Sequence, residues 1–320
     1  MRLIRGDDVA RACTMREAID AVAEGFLALS SGRATVPVRG SVPLAAGGVA
    51  LSMPAALADG RYWSAKLVTV APGNALRGLP LVAATVVLGD AATGLALALL
   101  DGTGLTALRT GAAGGVAARA LARPESAVVA LFGAGVQART QLEALRVVLG
   151  ERLREVRVAS RDPAHARRLA EEASAADRSA RYVVAAAGAA MAGADVVVTA
   201  TTSASPVFDG AALAAGAHVT AVGSYRSTMR ELDDATLRGA RIVVDQRDAA
   251  LAEAGELQGL GPGDVVEIGE VLAGTAPGRR NAGERTVFKS VGNAVQDLVV
   301  ASRAYERAVE LGIGEEIRWP

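Results

Sequence analysis

A single cysteine, Cys13, excludes an internal disulfide. So thiol-poor a chain suits a reducing compartment, and a cytoplasmic protein is expected. With no histidine near it, Cys13 reads as a small helix residue rather than a nucleophile. Histidine is almost as scarce. His165 is expected on an exposed helix face and His218 at the start of a strand; neither forms a ligand-spaced cluster, so neither a metal site nor a catalytic histidine is expected. Excess charge of either sign is also missing. With 34 Lys and Arg against 34 Asp and Glu, the chain is not expected to bind nucleic acid or a membrane surface. No apolar run reaches membrane-spanning length unbroken, and the polar first ten residues do not read as a signal peptide. Fixed-period repeats and low-complexity linkers are absent too.

What remains is a chain of 320 residues, long enough for two domains with sizeable cores. Residues 15–30 read as an amphipathic helix, with Ala18, Val22, Phe26 and Leu29 on one face. Residues 35–63 mix turn residues with short alternating segments and predict strands. Residues 62–70 and 79–88 predict two more, joined by the turn Ala71-Pro72-Gly73-Asn74. A turn at 90–94 and a strand at 96–100 follow, giving an antiparallel, strand-rich first region. Residues 105–123 form an alanine-rich helical stretch that Pro124 ends. From Ser126 the pattern changes. Strands are expected at 127–132, 155–160, 182–185, 196–200, 219–222 and 242–244, with helices between them at 136–149, 163–175 and 186–192. Such alternation implies a parallel, doubly wound sheet. A last helical stretch spans 291–311 and is expected to return to the first region, making that domain discontinuous.

The most informative stretch is VVALFGAGVQAR, residues 128–139. An apolar strand stops at Gly133-Ala134-Gly135, and a helix pattern starts with Val136, Gln137 and Ala138. The spacing Gly133-x-Gly135-x-x-Ala138 fits the dinucleotide fingerprint. Gly133 permits the tight turn, Gly135 lets backbone approach a pyrophosphate, and Ala138 lets the helix pack on the sheet. The phosphates would face the free N–H groups at the positive end of that helix. In a chain with 36 glycines the bare motif is weak; its strand-before, helix-after context gives it weight. After the second strand the sequence reads Ser160-Arg161. A hydroxyl and a guanidinium suit a 2′-phosphate, which favours NADP(H), whereas the adjacent Asp162 keeps NAD(H) open.

Other stretches carry a resemblance. KLVTV at 66–70, the turn Pro72-Gly73-Asn74, ALRT at 107–110, GAGVQA at 133–138 and KSVGNAVQDL at 289–298 occur in this order. Together they resemble the ornithine cyclodeaminase/μ-crystallin family over nearly the whole chain. The resemblance implies an α/β protein: a Rossmann NAD(P)-binding domain at 113–293, and a discontinuous α+β domain at 1–112 and 294–320 for substrate binding and dimerisation. It also implies action on α-amino acids or their α-imino forms. Lys66 matches the family's active-site lysine, Arg109 its carboxylate-clamping arginine, and Arg39 looks like the second carboxylate-binding arginine. A guanidinium makes two parallel charge-assisted bonds to a carboxylate, and a buried lysine adds charge or a proton. Met53, Tyr225 and Gly292 are expected near the substrate. The dinucleotide is expected to meet Thr110, residues 133–138, Ser160, Arg161, Thr199, Thr201, Val222, Gly223 and Ser224, with Ser290 and Val291 closing over its ring.

Departures from the family pattern narrow the chemistry. Cyclodeaminases of the family carry an Asp where this chain has Tyr225, and a phenol, with an ordinary pKa near ~10, is a poor base at neutral pH. They place an acid two residues before the Met-Pro pair, where Leu51 stands here; Leu81 likewise replaces a polar Thr. Met229-Arg230-Glu231-Leu232 resembles the reductase branch. The expected reaction is therefore NAD(P)H-dependent reduction of a small α-imino acid, such as Δ1-pyrroline-2-carboxylate, to the L-amino acid by a homodimer. Two enzymes and one binder stay open as alternatives. An ornithine cyclodeaminase would need another acid, with Asp101, Asp297 and Glu231 as candidates; an alanine-dehydrogenase-like enzyme would need ammonia; a binding protein of the crystallin type would not need Lys66 and Arg109.

Overall fold

The computed structural model describes residues 1–318. Along the chain run β1 (Arg2–Ile4), α1 (Gly6–Ala12), α2 (Met15–Ser30), β2 (Ala34–Thr35), β3 (Gly40–Pro43), β4 (Val49–Leu57), β5 (Tyr62–Val70), β6 (Val82–Asp90), β7 (Ala96–Asp101) and α3 (Gly102–Leu121). A βα alternation follows: β8 (Val128–Phe132), α4 (Val136–Leu149), β9 (Glu155–Ala159), α5 (Pro163–Ala176), β10 (Arg181–Val184), α6 (Ala187–Met191) and β11 (Val196–Thr199). Next come β12 (His218–Ala221), α7 (Asp234–Leu237), β13 (Arg241–Val244), α8 (Arg247–Glu253), β14 (Val266–Glu267), α9 (Ile268–Leu272) and β15 (Thr286–Lys289). α10 (Ala294–Leu311) and β16 (Glu315–Glu316) close the described chain. Two compact units result: Met1–Arg109 with the segment from Asn293 onward, and Thr110–Gly292. The division falls at 109/110 and 292/293, against the 112/113 and 293/294 expected from sequence.

In the first unit the sheet order is β16-β1-β7-β6-β5-β4-β2, with β3 added to β4. β4 through β7 pair antiparallel and β1 joins β7 in parallel. Burial along β5 alternates strictly, hiding Tyr62, Ser64, Lys66, Val68 and Val70 on one face. Helix α10 lies against β4, β5 and β6, and packs on α2. α2 starts with a capping box: the Thr14 hydroxyl accepts from the Glu17 N–H, and the Glu17 carboxylate accepts from the Thr14 N–H at 2.9 Å. Its face of Ala18, Val22 and Phe26 is buried, while Leu29 is half-buried. Cys13 is buried at the C-cap of α1, a short helix the sequence pattern does not disclose; burial pushes its thiol up to about 12.

The second unit holds a fully parallel sheet, order β10-β9-β8-β11-β12-β15-β13-β14. Strand order reverses between β8 and β11, the place where open α/β sheets bind ligands beyond their strand ends. β11, β12 and β15 are buried on both faces, as strands of a sheet covered by helices must be. β14 and β15 lie outside the expected strand set. The final helix begins at Ala294 rather than 291, because Gly292 has φ 78° and Asn293 is the N-cap.

His218 is buried in this sheet, its ring nitrogens 2.9 Å from Thr286 Oγ1 and 3.0 Å from Thr220 Oγ1. Burial, with Arg279 second, lowers its pKa from 6.5 to about 3. Between those values the unfolded chain binds a proton that the folded chain refuses, so stability rises with pH through this window and is lost on acidification. By pH ~4.5 this group alone removes about 2–3 kcal/mol relative to neutral pH. In His218→Val, acid should cost less between pH ~6.5 and ~4.5, even if the variant is weaker at neutral pH; denaturant midpoints across pH check it.

Candidate active site

On the helix-covered face of the first unit's sheet, Lys66 is a fully buried charged side chain among apolar neighbours. Its cross-strand neighbours are Met53 and Val86, and the next row is Leu51, Val68 and Ala84. Lys66 Nζ lies 2.7 Å from Asp297 Oδ2. Arg109, on α3, donates from Nε to Asp297 Oδ1 at 3.1 Å and from one terminal nitrogen to Gln296 Oε1 at 2.6 Å. Lys66 and Asp297 are fully buried and Arg109 nearly so. Two cations thus meet one carboxylate, leaving one positive charge in excess. A guanidinium carries five N–H donors, and paired donors of this kind take a carboxylate bidentately. Arg39 is half-buried one residue before β3, whose first residue Gly40 pairs with Ser52, and its charge is felt at Lys66. Burial lowers the Lys66 pKa from 10.5 to about 8; Asp297 opposes the shift, and Arg109 and Arg39 add to it.

The second unit carries a cleft of about 760 Å³ at the carboxyl ends of β8, β9 and β11. Gly133 to Val136 form one wall, and Ser160, Arg161, His165 and Arg168 line the cleft as well. The N-cap of α4 is Gly135, which has no side chain to satisfy the first-turn N–H groups, so these stay available to an anion. Gln137 Oε1 is buried there without a hydrogen-bond partner. Ala138 is fully buried, as its packing role requires. Asp162, ambiguous in sequence, is the N-cap of α5: its carboxylate accepts from the Ala164 N–H at 2.8 Å, with Pro163 at the first helical position.

Buried carboxylates tie the loops beyond the strand ends. Glu231 accepts from Thr199 Oγ1 (2.9 Å), Thr201 N (2.7 Å), Thr201 Oγ1 (2.8 Å) and Gly223 N (2.8 Å), joining the ends of β11 and β12. Asp245, just after β13, accepts from Ser290 Oγ and Gly292 N, both at 2.7 Å. Lys289 Nζ donates to Ser224 O (2.6 Å) and Ser224 Oγ (2.7 Å), and the Ser224 hydroxyl donates to Glu256. The hydroxyls of Thr199, Ser224 and Ser290 thus bond within the protein and tie loops together. Val222, Gly223 and Tyr225 lie just beyond β12, and the Tyr225 ring is half-buried with the Arg226 guanidinium 5.4 Å from its centroid. Thr110 is buried, its carbonyl accepting from Gln141 Nε2 at 2.7 Å; Val291 is buried too. Of the candidate acids, Asp101 accepts from the Thr103 and Gly104 N–H groups at the start of α3, and Glu231 is saturated; Asp297 alone joins Lys66 and Arg109. Among the described residues no three His, Cys, Asp or Glu side chains group as a metal site would.

The two fingerprint glycines should fail in different ways. A Cβ on Gly133, where φ is 108°, would sit 2.4 Å from the Ala200 carbonyl oxygen, whereas one on Gly135 would meet nothing within 4 Å. Gly133→Ala should therefore lower stability by about 1–3 kcal/mol. Gly135→Ala should keep the melting temperature but weaken dinucleotide binding roughly tenfold or more, a loss of at least ~1.4 kcal/mol. Thermal unfolding beside a cofactor titration separates the two.

Comparison with known proteins identifies the family. The ornithine cyclodeaminase/mu-crystallin family matches residues 3–312. The Δ1-pyrroline-2-carboxylate reductase of Bacillus thuringiensis subsp. konkukian (strain 97-27) is 37% identical over 328 residues, covering 100% of both chains. The solved structure of Thermococcus litoralis Δ1-pyrroline-2-carboxylate reductase, in complex with NADH and L-proline, is 38% identical with a TM-score of 0.93, covering 99% of this chain and 100% of the other. An archaeal alanine dehydrogenase dimer with bound NAD is 36% identical, also at TM-score 0.93, covering 100% and 99%. The family model over residues 3–312, with relatives 36–38% identical over essentially the full length of both chains, makes this chain a member of the ornithine cyclodeaminase/mu-crystallin family.

Proposed function

We propose that this chain is a ketimine reductase, transferring hydride from a nicotinamide dinucleotide to a small cyclic α-imino acid, with Δ1-pyrroline-2-carboxylate as the leading substrate. The observation that carries the reading is the buried Lys66–Asp297–Arg109 group with its excess positive charge. A desolvated excess charge is costly until an anion neutralises it, so the group is suited to one carboxylate. The surrounding surface supports a ring or short apolar side chain: the Lys66-bearing faces of β4 and β5 present Leu51, Met53 and Val68 and no acid that would hold a second amine. Full-length relatives of the same activity point the same way.

The residues divide the work simply. Arg109 and Lys66, aided by Arg39, hold the carboxylate and orient the C=N bond. The cofactor, once bound, supplies the hydride that adds to the imine carbon. Lys66, with a pKa of about 8, is largely an ammonium at neutral pH and can give a proton to the nitrogen as the C=N electron pair moves onto it. Gly133, Gly135 and the uncapped start of α4 cradle the pyrophosphate. For the adenosine end we favour NADP(H). Asp162 is engaged as a helix cap rather than free for a ribose hydroxyl, and Ser160, Arg161 and Arg168 line the cleft.

The test is oxidation of NADPH and of NADH at 340 nm with Δ1-pyrroline-2-carboxylate, beside ornithine alone and beside pyruvate with ammonia. Imine-dependent oxidation, faster with NADPH, is expected, and Arg161→Ala with Arg168→Ala should lower the NADPH preference about tenfold or more. Proline and ammonia released from ornithine would overturn the reductase reading in favour of a cyclodeaminase. Turnover only with pyruvate and ammonia would make it an amino-acid dehydrogenase, and equal rates with both nucleotides would remove the NADP(H) preference.

We also propose a homodimer through the outer face of the first unit's sheet. There the rows Val42–Ala50–Thr69–Ala83 and Pro54–Ala65–Val87–Leu99 carry no charge, and Val42 and Leu67 are well exposed. The archaeal alanine dehydrogenase dimer supports it. Light scattering should give twice the 32.4 kDa chain mass, and Leu67→Glu should shift the protein toward monomer; a monomeric wild type rejects the proposal.

A further inference from the structure

Asp297 lies in the first turn of α10, fully buried, with one carboxylate oxygen 2.7 Å from Lys66 Nζ and the other 3.1 Å from Arg109 Nε. Among the described residues, the charges felt at Lys66 are Asp297 and two guanidinium groups, Arg109 from α3 and Arg39 from the segment before β3. A fully buried ammonium beside two such cations is disfavoured twice, by lost hydration and by like charge. Only a carboxylate in contact offsets both. Both oxygens of Asp297 are held by cations, Oδ2 by Lys66 and Oδ1 by Arg109.

We propose that Asp297 is the positioning residue that keeps Lys66 protonated and its Nζ aimed, so that the proton for the imine nitrogen is in place before hydride arrives. This rests on the reading of Lys66 as proton source given above. The step balances. A bound reduced nicotinamide would supply the hydride pair; as the imine carbon accepts it, the C=N π pair moves to nitrogen, and nitrogen takes a proton from the Lys66 ammonium. Neutral Lys66 is then reprotonated from solvent. Asp297 stays a carboxylate throughout, and the excess charge that binds the substrate exists only while Lys66 holds its proton.

The experiment is the pH profile of kcat/KM for Δ1-pyrroline-2-carboxylate reduction in the full-length protein, for wild type, Asp297→Asn and Asp297→Glu, with thermal unfolding of each. Titration of the substrate imine is common to all three, so only differences between profiles count. Wild type should lose activity as pH rises through about 8. In Asp297→Asn this alkaline limb should move down by about 1 pH unit or more, since a contacting opposite charge is worth ~1–3 units. In Asp297→Glu, which keeps the charge but changes its reach, the limb should stay while kcat falls. A folded Asp297→Asn with uniformly reduced activity and an unmoved limb would overturn the proposal. Should that variant not fold, a limb displaced in Asp297→Glu overturns it equally. A wild-type profile with no alkaline limb would instead defeat the reading of Lys66 as proton donor, which is a separate outcome.

Discussion

An unbalanced charge inside a water-poor space organises the first unit. Lys66 and Arg109 arrive from a strand and a helix far apart in sequence, and Asp297 comes from the last helix. Each is costly to bury alone. Together they form a contact network that fixes the side chains before any ligand binds, and still leaves one charge unmet. Much of the surrounding architecture serves this arrangement. The strict alternation of β5 turns Lys66 inward, and the packing of α10 on β4, β5 and β6 brings Asp297 over it.

The second unit solves a different problem with a related device. Its parallel strands end in loops that must hold still around a flexible dinucleotide. Glu231, Asp245 and Glu256 each gather donors from loops that are remote in sequence. A carboxylate accepts up to about four hydrogen bonds, so one side chain can pin two backbone segments at once. Glu231 uses that capacity fully, bonding Thr199, Thr201 and Gly223. Its environment makes it an anchor rather than an acid-base group.

How legible each part was in the sequence follows from how local its signal is. The fingerprint at Gly133 to Ala138 couples an apolar run, a turn and a helix within a dozen residues, and it was readable in full. Lys66 and Arg109 became legible through the family resemblance, within KLVTV and ALRT. Asp297 was only one of three candidate acids. On an amphipathic helix an acid in the first turn looks like any favourable helix start, and only its distant partners give it meaning. Asp245 and Glu256 carried no distinguishing pattern at all, since a loop acid bonded to remote backbone is spelled like one exposed to solvent. β15 escaped because its four residues include Lys289, whose charge is matched only through Ser224 and Glu256. Residues 290–292 lacked a helix because of Gly292 and the Asn293 cap, a boundary effect that periodicity does not resolve.

The cap at Asp162 bears on how such a chain changes its cofactor over evolutionary time. The acid that follows the second parallel strand already starts a helix, so it is not free to drift into hydroxyl recognition without loosening α5. A lineage moving toward the unphosphorylated nucleotide would have to place its new acid at 160 or 161 instead. There a new acid would be decoupled from helix stability, and replacing Ser160 or Arg161 would also remove a side chain that lines the cleft.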